Sequence, residues 1–568
     1  MKNNTLKLMG LAVLLFIANS CTKDFDQINT DSQGFTADEV SAKFFLTSAQ
    51  VGLYAPNRFV YWRAQLINAD RFAGHFTFGH TASWWNDGLG YTQNGGYTDA
   101  TYDWIAGYFG NIKSFSDLTN EGGEFENQYM YAMSLIMKGL YYQMYTDIYG
   151  MVPFTEAGVD GILTPKYDDQ ATIYQGIIAD LNQAMSIIGD AAKTGLGVDD
   201  VGSNDVYCGG DLQQWKRLAN TLKLRIAMRA YGSPGENFAA AAVTEALNAP
   251  LLDDASGSVT MRKDFEISKW NSAAYGDPWN DFGGGASKWT VSNVLINTLK
   301  DNNDPRLAVY AIPAKGGVFK LVNSTDPDSG EYVDPNHQDR VDFLLGSLDD
   351  SGAVYTTSVE VDTTTVEIGG GQFIGQPIRT NGDTRPFMGY DMFSLPSDDI
   401  TQTRGKEADG YPEIILTSAE AYFLQAEAIV RGLATGDAQA MMNSGIVEAM
   451  KIWGISAGEA TTYATTQAIA DITVGTEEEK LEKIATQRWL LGYTDGFEAW
   501  AVVRDMGYPA ELAAGVSDPV LFELGLDLNG VYPQRMSYGS GAQENPNFDA
   551  ALSAQGPNEQ NVTLWYAQ

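Results

Sequence analysis

Cysteine is almost absent from this 568-residue chain, which has only Cys21 and Cys208, and histidine stops at His75, His80 and His337. Two thiols cannot build a disulfide framework, so a body of this length must be held by its own core. His75 and His80 stand five apart with no glutamate between them, which is not the zinc-protease spacing. There is no GxSxG, and a lone body cysteine lacks a histidine partner, so nucleophilic hydrolysis has no dyad to use. Basic charge is also scarce: 36 Lys and Arg against 72 Asp and Glu leave a net −36. Such a surface repels nucleic acid and anionic lipid and suits neutral or cationic ligands. Gly283–Lys288 (GGGASK) lacks the first glycine and the spacing of a phosphate loop, and no strand precedes it. No cofactor or metal site is expected.

The N-terminus reads as a leader. Lys2 and Lys7 precede an apolar run, 8–18, too short to span a bilayer, and small residues lead to Cys21. Residues 1–20 are therefore expected to be a signal peptide, with Cys21 acylated after cleavage and anchoring the chain to a membrane. Residues 21–36 are polar and turn-rich, a tether. The remainder, 37–568, is expected to be a single helical domain with loop insertions near 70–100, 255–288 and 320–412.

Apolar residues recur at three and four along most of that remainder. A first helix spans 38–54, with Val40, Phe44, Phe45, Ala49 and Leu53 on one face. Helix 125–150 carries Met130, Met133, Met137, Leu140, Met144 and Ile148; methionine at this spacing is core rather than a metal box. Helix 170–189 follows, then 211–230, where Leu212, Trp215, Leu218, Leu222 and Ile226 point inward and Arg225 and Arg229 outward. Lys216, Lys223 and Arg225 read as a solvated or ion-paired face. Val354–Val361 and Thr363–Ile368 are β-prone pieces within a turn-rich stretch. At least eight helices in consecutive pairs predict a mainly α fold. It is a stacked helix-turn-helix, tetratricopeptide-like scaffold with long irregular loops and a few short β-hairpins.

Residues 482–509, EKIATQRWLLGYTDGFEAWAVVRDMGYP, carry more than periodicity. Thr476 and Glu479 form a capping-box spacing for a helix from 477 to 491; Asp495-Gly496 makes a turn, and Phe497, Trp500 and Arg504 share one face of a second helix. The hairpin resembles the "G-x-E-A-W-x-x-x-R-R-T-G-Y-P" signature of SusD/RagB outer-membrane lipoproteins. Gln487, Gly496, Glu498, Ala499, Trp500, Arg504, Gly507, Tyr508 and Pro509 fit, while Asp505 and Met506 depart. The resemblance extends to Asp147–Ala157 (DIYGMVPFTEA), to WKRLANTLKLRIAMR from Trp215, and to TSAEAYFLQAEAIVRG from Thr417. Thr22-Lys23-Asp24-Phe25-Asp26 resembles the signal that sends lipoproteins of Bacteroidetes-type bacteria to the cell surface. Arg504 is expected to be buried and paired with a carboxylate, Glu498 or Glu427.

The resemblance implies a lipid-anchored protein of the outer membrane surface. It implies a SusC-like TonB-dependent transporter as partner, and capture of a glycan, or in some branches a peptide, without cleavage. Residues 59–109 are dense in aromatics, and 74–99 shows neither a helical nor a strand period, so it reads as long loops. A second such stretch spans 256–287. Exposed Trp and Tyr stack on sugar faces or peptide side chains, and Asn bonds hydroxyls. The candidate ligand-binding residues are Trp84, Trp85, Asn86, Tyr91, Trp270 and Trp279. A structural lid of the transporter without a ligand site, and a surface hydrolase using a carboxylate pair, are the other readings.

Overall fold

A computed structural model describes residues 41–54, 58–78, 95–261, 289–323, 333–397, 399–400 and 412–568. The leader, Cys21 and the tether lie outside the described residues, as do 79–94 and 262–288.

The chain opens with α1 (Lys43–Tyr54) and a helical run, α2 (58–72), whose middle, Trp62–Ala69, is π-helical. β1 (Phe76–Phe78), α3 (Gly95–Thr119), α4 (Gln128–Tyr149), α5 (Gln170–Ile188), α6 (Leu212–Ala230) and α7 (Ala239–Leu247) follow. Next come β2 (Val259–Met261), β3 (Trp289–Val291), α8 (Asn293–Asp301), β4 (Ala311–Ile312) and β5 (Gly317–Val322). After α9 (His337–Asp350) come β6 (Tyr355–Val359), β7 (Thr363–Ile368), β8 (Leu395–Pro396) and β9 (Glu413–Leu416). The C-terminal part holds α10 (Ser418–Val430), α11 (Ala438–Ile452), α12 (Ala457–Thr466), α13 (Glu477–Leu491), α14 (Gly496–Met506) and α15 (Phe548–Gln555).

Local chemistry sets the helix starts. Asn127, Asp169, Asp211, Ser292, Thr417, Asp437 and Ser456 each accept a first-turn N–H from the side chain, and Thr476 with Glu479 completes a reciprocal capping box. Helices adjacent in sequence then pack side by side, α3 through α7 in one run and α10 through α12 in another. The pair α13–α14 joins them, and α10 touches both α13 and α6. The architecture is mainly α, stacked helix pairs in the tetratricopeptide manner, with short two- and three-stranded sheets between.

The methionine stripe of α4 is core: Met130, Met133, Met137 and Met144 are buried with Leu140 and Ile148. In α6, however, Arg225 and Arg229 are not outward. Both are buried with the whole helix from Leu218 to Ala230, because α4, α5, α7 and α10 surround it. Lys223 is buried too, its Nζ donating to Asn182 and Glu245. Phe44 and Phe45 are also corrected: α1 buries Leu46, Ala49, Gln50 and Leu53, and the two phenylalanines lie half exposed off that stripe. The helix α3 begins at Gly95, within the stretch 74–99 that reads as long loops. The turn-rich stretch forms the expected hairpin β6–β7, but β5 joins it as a third strand and α9 covers one face through Val341, Leu344 and Leu348.

Between α10 and α11 the packing is tight. A Cβ added at Gly445 would meet Phe423 Cε1 at 2.5 Å, and Phe423 is fully buried. Gly445→Val is therefore expected to cost about 1–3 kcal/mol by overpacking, read as a lowered thermal midpoint. Gly458→Ala on α12, where nothing lies within 4 Å, is expected to be neutral or slightly stabilising. Equal midpoints for the two would show that the ring has room to move.

Candidate functional site

The interior charge is concentrated where five helices meet. Arg225 Nε donates to Glu420 Oε1 at 2.7 Å and its Nη2 to Oε2; Nη1 reaches Gln143 Oε1 at 3.2 Å. Arg229 bridges Asp147 and Glu498. Arg488 Nη1 binds Glu427 Oε2 at 2.9 Å and its Nη2 lies 3.6 Å from Glu498 Oε1, while Arg431 closes on Glu427 at 2.9 Å. Four guanidiniums thus face four carboxylates drawn from α4, α6, α10, α13 and α14. Burial alone would lower Arg225, but Glu420 and Glu498 more than reverse it and keep it charged. Burial would raise Glu498, yet Arg225, Arg229 and Arg488 hold it below the usual carboxylate range. A cavity of about 20 Å³, water-sized, lies among Gln65, Gln143, Arg225 and Glu498. It is too small for a sugar or peptide.

Two carboxyls beside this balanced set have no cation to spare. Burial, opposed by Arg225 and reinforced by Glu498, pushes Asp495 up to about 8, and burial likewise pushes Asp505 up to about 7. Arg504 is buried as expected but not paired with a carboxylate. Its Nη1 donates to the carbonyls of Asp147 and Gln534 at 2.7 and 2.8 Å, and its guanidinium lies 3.6 Å over the Trp500 ring. Glu498 and Glu427 are already taken by the other arginines, and the last turn of α4 supplies the partial negative charge instead.

The α13–α14 hairpin also roots the aromatic segments. Trp489 Nε1 donates to Ala73 O at 2.7 Å, and Trp489 packs on the His75 ring at 5.1 Å. His75 is buried, desolvation lowers it to about 3, and its Nε2 meets the Trp489 carbonyl at 3.2 Å; it is a neutral core histidine. Tyr493 lies 5.0 Å from Phe76 and stacks on Tyr310 at 3.9 Å. Gly496 sits so close to α2 that a Cβ there would lie 2.4 Å from Asp70 N. From this base β1 pairs antiparallel with β3, placing Phe78 opposite Trp289. Thr290 Oγ1 donates to Thr77 O and Gln376 Oε1, and Ser292 N to His75 O. Residue 79 therefore follows, and residue 288 precedes, two paired residues. At the other end Met261 pairs with Glu413, and β9 leads directly into α10 and Glu420.

The sequence between 35 and 538 matches the family model of SusD-like proteins described as starch-binding and associating with the outer membrane. The chain belongs to this SusD-like family. No curated protein matches it in sequence. Among solved structures, this SusD-like chain is similar to a chitin-binding protein at 22% identity and TM-score 0.66, over 93% of this chain and 99% of that one. A SusD homologue from Bacteroides vulgatus is 20% identical, TM-score 0.67, over 93% and 98%. A SusD-like protein from Bacteroides thetaiotaomicron is 19% identical, TM-score 0.65, over 92% and 98%. At these identities the likeness is one of fold.

Of the candidate residues, Trp84, Trp85, Asn86 and Tyr91 fall in 79–94 and Trp270 and Trp279 in 262–288, all outside the described residues. What the structure adds to the SusD-like reading is the pair of attachment points, which sequence pattern missed: three-residue strands are too short to carry a period, and only the residue types of Phe-Thr-Phe and Trp-Thr-Val hint at them. Two surface clefts of the described residues hold none of the candidates. One, of about 450 Å³, lies between the ends of α7 and α10, and one of about 250 Å³ lies between α11 and α12. No helix of the described residues is long and apolar enough to cross a membrane.

Two measurements probe the interior charge. Arg229→Met leaves Asp147 without its cation and removes one of the three guanidiniums around Glu498, an expected loss of about 3–5 kcal/mol in denaturant unfolding. A carboxyl raised on folding keeps a proton that the unfolded chain releases near pH 4, so stability falls as pH rises toward about 8 and is level beyond. Asp495→Asn should therefore decline less between pH 5 and 8 than the parent, with Asp505 supplying the residual slope. Identical slopes would mean that Asp495 is charged in the fold.

Proposed function

We propose that this protein is a non-catalytic, lipid-anchored binding protein of the outer cell surface. It captures an oligosaccharide and hands it to a SusC-like TonB-dependent transporter. The observation that supports the reading is the β1–β3 ribbon, which pairs Phe78 with Trp289 and is tied to the α13–α14 hairpin through Trp489 and Ala73. Trp84, Trp85, Asn86 and Tyr91 from one segment and Trp270 and Trp279 from the other are the proposed contacts, rings stacking on sugar faces. A chitin-binding protein with this fold, and a family described by starch binding, support a glycan as cargo. The proposed anchor is lipid on Cys21. A net charge of −36 favours a second reading, a cationic peptide as cargo.

Isothermal titration against maltose- and N-acetylglucosamine-based oligosaccharides, with lysine-rich peptides in parallel, separates the two readings. Saturable heat with a sugar, weakened about tenfold or more by Trp84→Ala or Trp279→Ala, is the expected result. Peptide binding that Trp84→Ala or Trp279→Ala weakens, with no heat from any sugar, would replace the glycan reading. No binding to either would leave the protein as a lid of the transporter.

A further inference from the structure

The sheet β5–β7–β6 ends on a strand that pairs with only one other, β7, among the described strands. β6 pairs with β7 in one unbroken register, Tyr355 opposite Ile368 through Val359 opposite Thr364, with no bulge. Its hairpin closes with Glu360 N donating to Thr363 O at 2.9 Å. Antiparallel ladders alternate, so Glu360, Ser358 and Thr356 turn their backbone groups toward β7. Tyr355, Thr357 and Val359 consequently turn their N–H and C=O groups away from the sheet, one set every two residues. Among the described residues no other strand pairs with that side. Thr356, Thr357, Ser358 and Val359 are exposed, Val359 at 77%.

Exposed edges are ordinarily blunted by lysine, proline or a bulge. The run from Ala353 to Val359 has none of these and no charge at all. The exposed charge beside it is acidic, and Lys300 lies ahead of the strand with its Nζ donating to Ser351 O. Asp349, which accepts from Tyr355 Oη at 2.8 Å, and Glu360, Asp362 and Glu367 are all exposed. Lys320, the sheet's own cation, sits on β5, two strands away. The opposite face of the sheet is fixed on α9 through Val366, Ile368 and Leu344, so the edge is presented by a rigid support.

We infer that the free edge of β6 accepts an extended, cationic segment of another polypeptide as a fourth strand. Main-chain bonds to Tyr355, Thr357 and Val359 supply the affinity, and the acidic rim selects Lys or Arg at alternate positions. A second copy of this chain is disfavoured as the occupant, because edge-to-edge pairing would bring two acidic rims together.

The test uses the whole chain and an end-capped seven-residue peptide alternating lysine and threonine. Two controls accompany it: the same peptide with its central threonine replaced by proline, and one with glutamate for lysine. Titration calorimetry is expected to show one saturable site for the first peptide only, with amide exchange slowed at Tyr355, Thr357 and Val359. Thr357→Pro deletes an outward N–H and should weaken binding about tenfold, the worth of one ladder bond. If Thr357→Pro melts the sheet, Glu360→Lys with Asp362→Lys is expected to weaken binding to the same degree. Equal binding of the proline peptide, unchanged affinity in these variants, or no saturable heat would overturn the inference. So would a concentration-dependent dimer lost in Thr357→Pro, which would assign the edge to a second copy.

Discussion

Desolvated charge is the constraint on which this molecule rests. Arg225, Arg229, Arg431 and Arg488 enter the helical body together with Asp147, Glu420, Glu427 and Glu498, and the numbers cancel. A buried ion pair contributes little net stability, but a stranded member is very costly. The helices that supply the members are therefore held to one mutual arrangement. Hydrophobic contact alone would tolerate slippage between α6, α10 and α13; short charge-assisted bonds do not. The rise of Asp495 and Asp505 follows from the same balance, since every cation in reach is already matched.

That lattice connects to the candidate binding region through covalent neighbours. Glu420 lies on the helix that β9 enters, and β9 pairs with β2 at the residue before 262. Glu498 lies on α14, whose partner helix presents Trp489 to Ala73 and His75 at the root of β1. Both ends of the second aromatic segment and the start of the first are thus fixed to elements whose positions the ion pairs set. The proposed contacts lie between these fixed ends, and ends that drifted would misplace any ring carried between them.

Helices were readable wherever the signal was local. The stripe of α4 and the Thr476–Glu479 box are local signals and stand in the structure as read, whereas the turn read at Asp495-Gly496 falls at 492–494, with Asp495 the N-cap and Gly496 the first residue of α14. Phe44 and Phe45 misled because two apolar neighbours cannot share one stripe, and Leu46 and Ala49 took it. The outward reading of Arg225 and Arg229 failed for a different reason. Charge at helical spacing marks a solvated face only when nothing packs on it, and α4 and α10 pack there with partners 82 and 195 residues away in sequence.

Composition, capping residues and apolar period were sufficient by themselves for the mainly α class, the hairpin and the family likeness, because each is written within a short window of the chain. The pairing of β1 with β3, the partners of each arginine, the carbonyl nest of Arg504 and the edge position of β6 among the described strands were decided only in three dimensions. Those features depend on what else is excluded from water at the same place, and desolvation is a property of the assembled body, not of any segment in it.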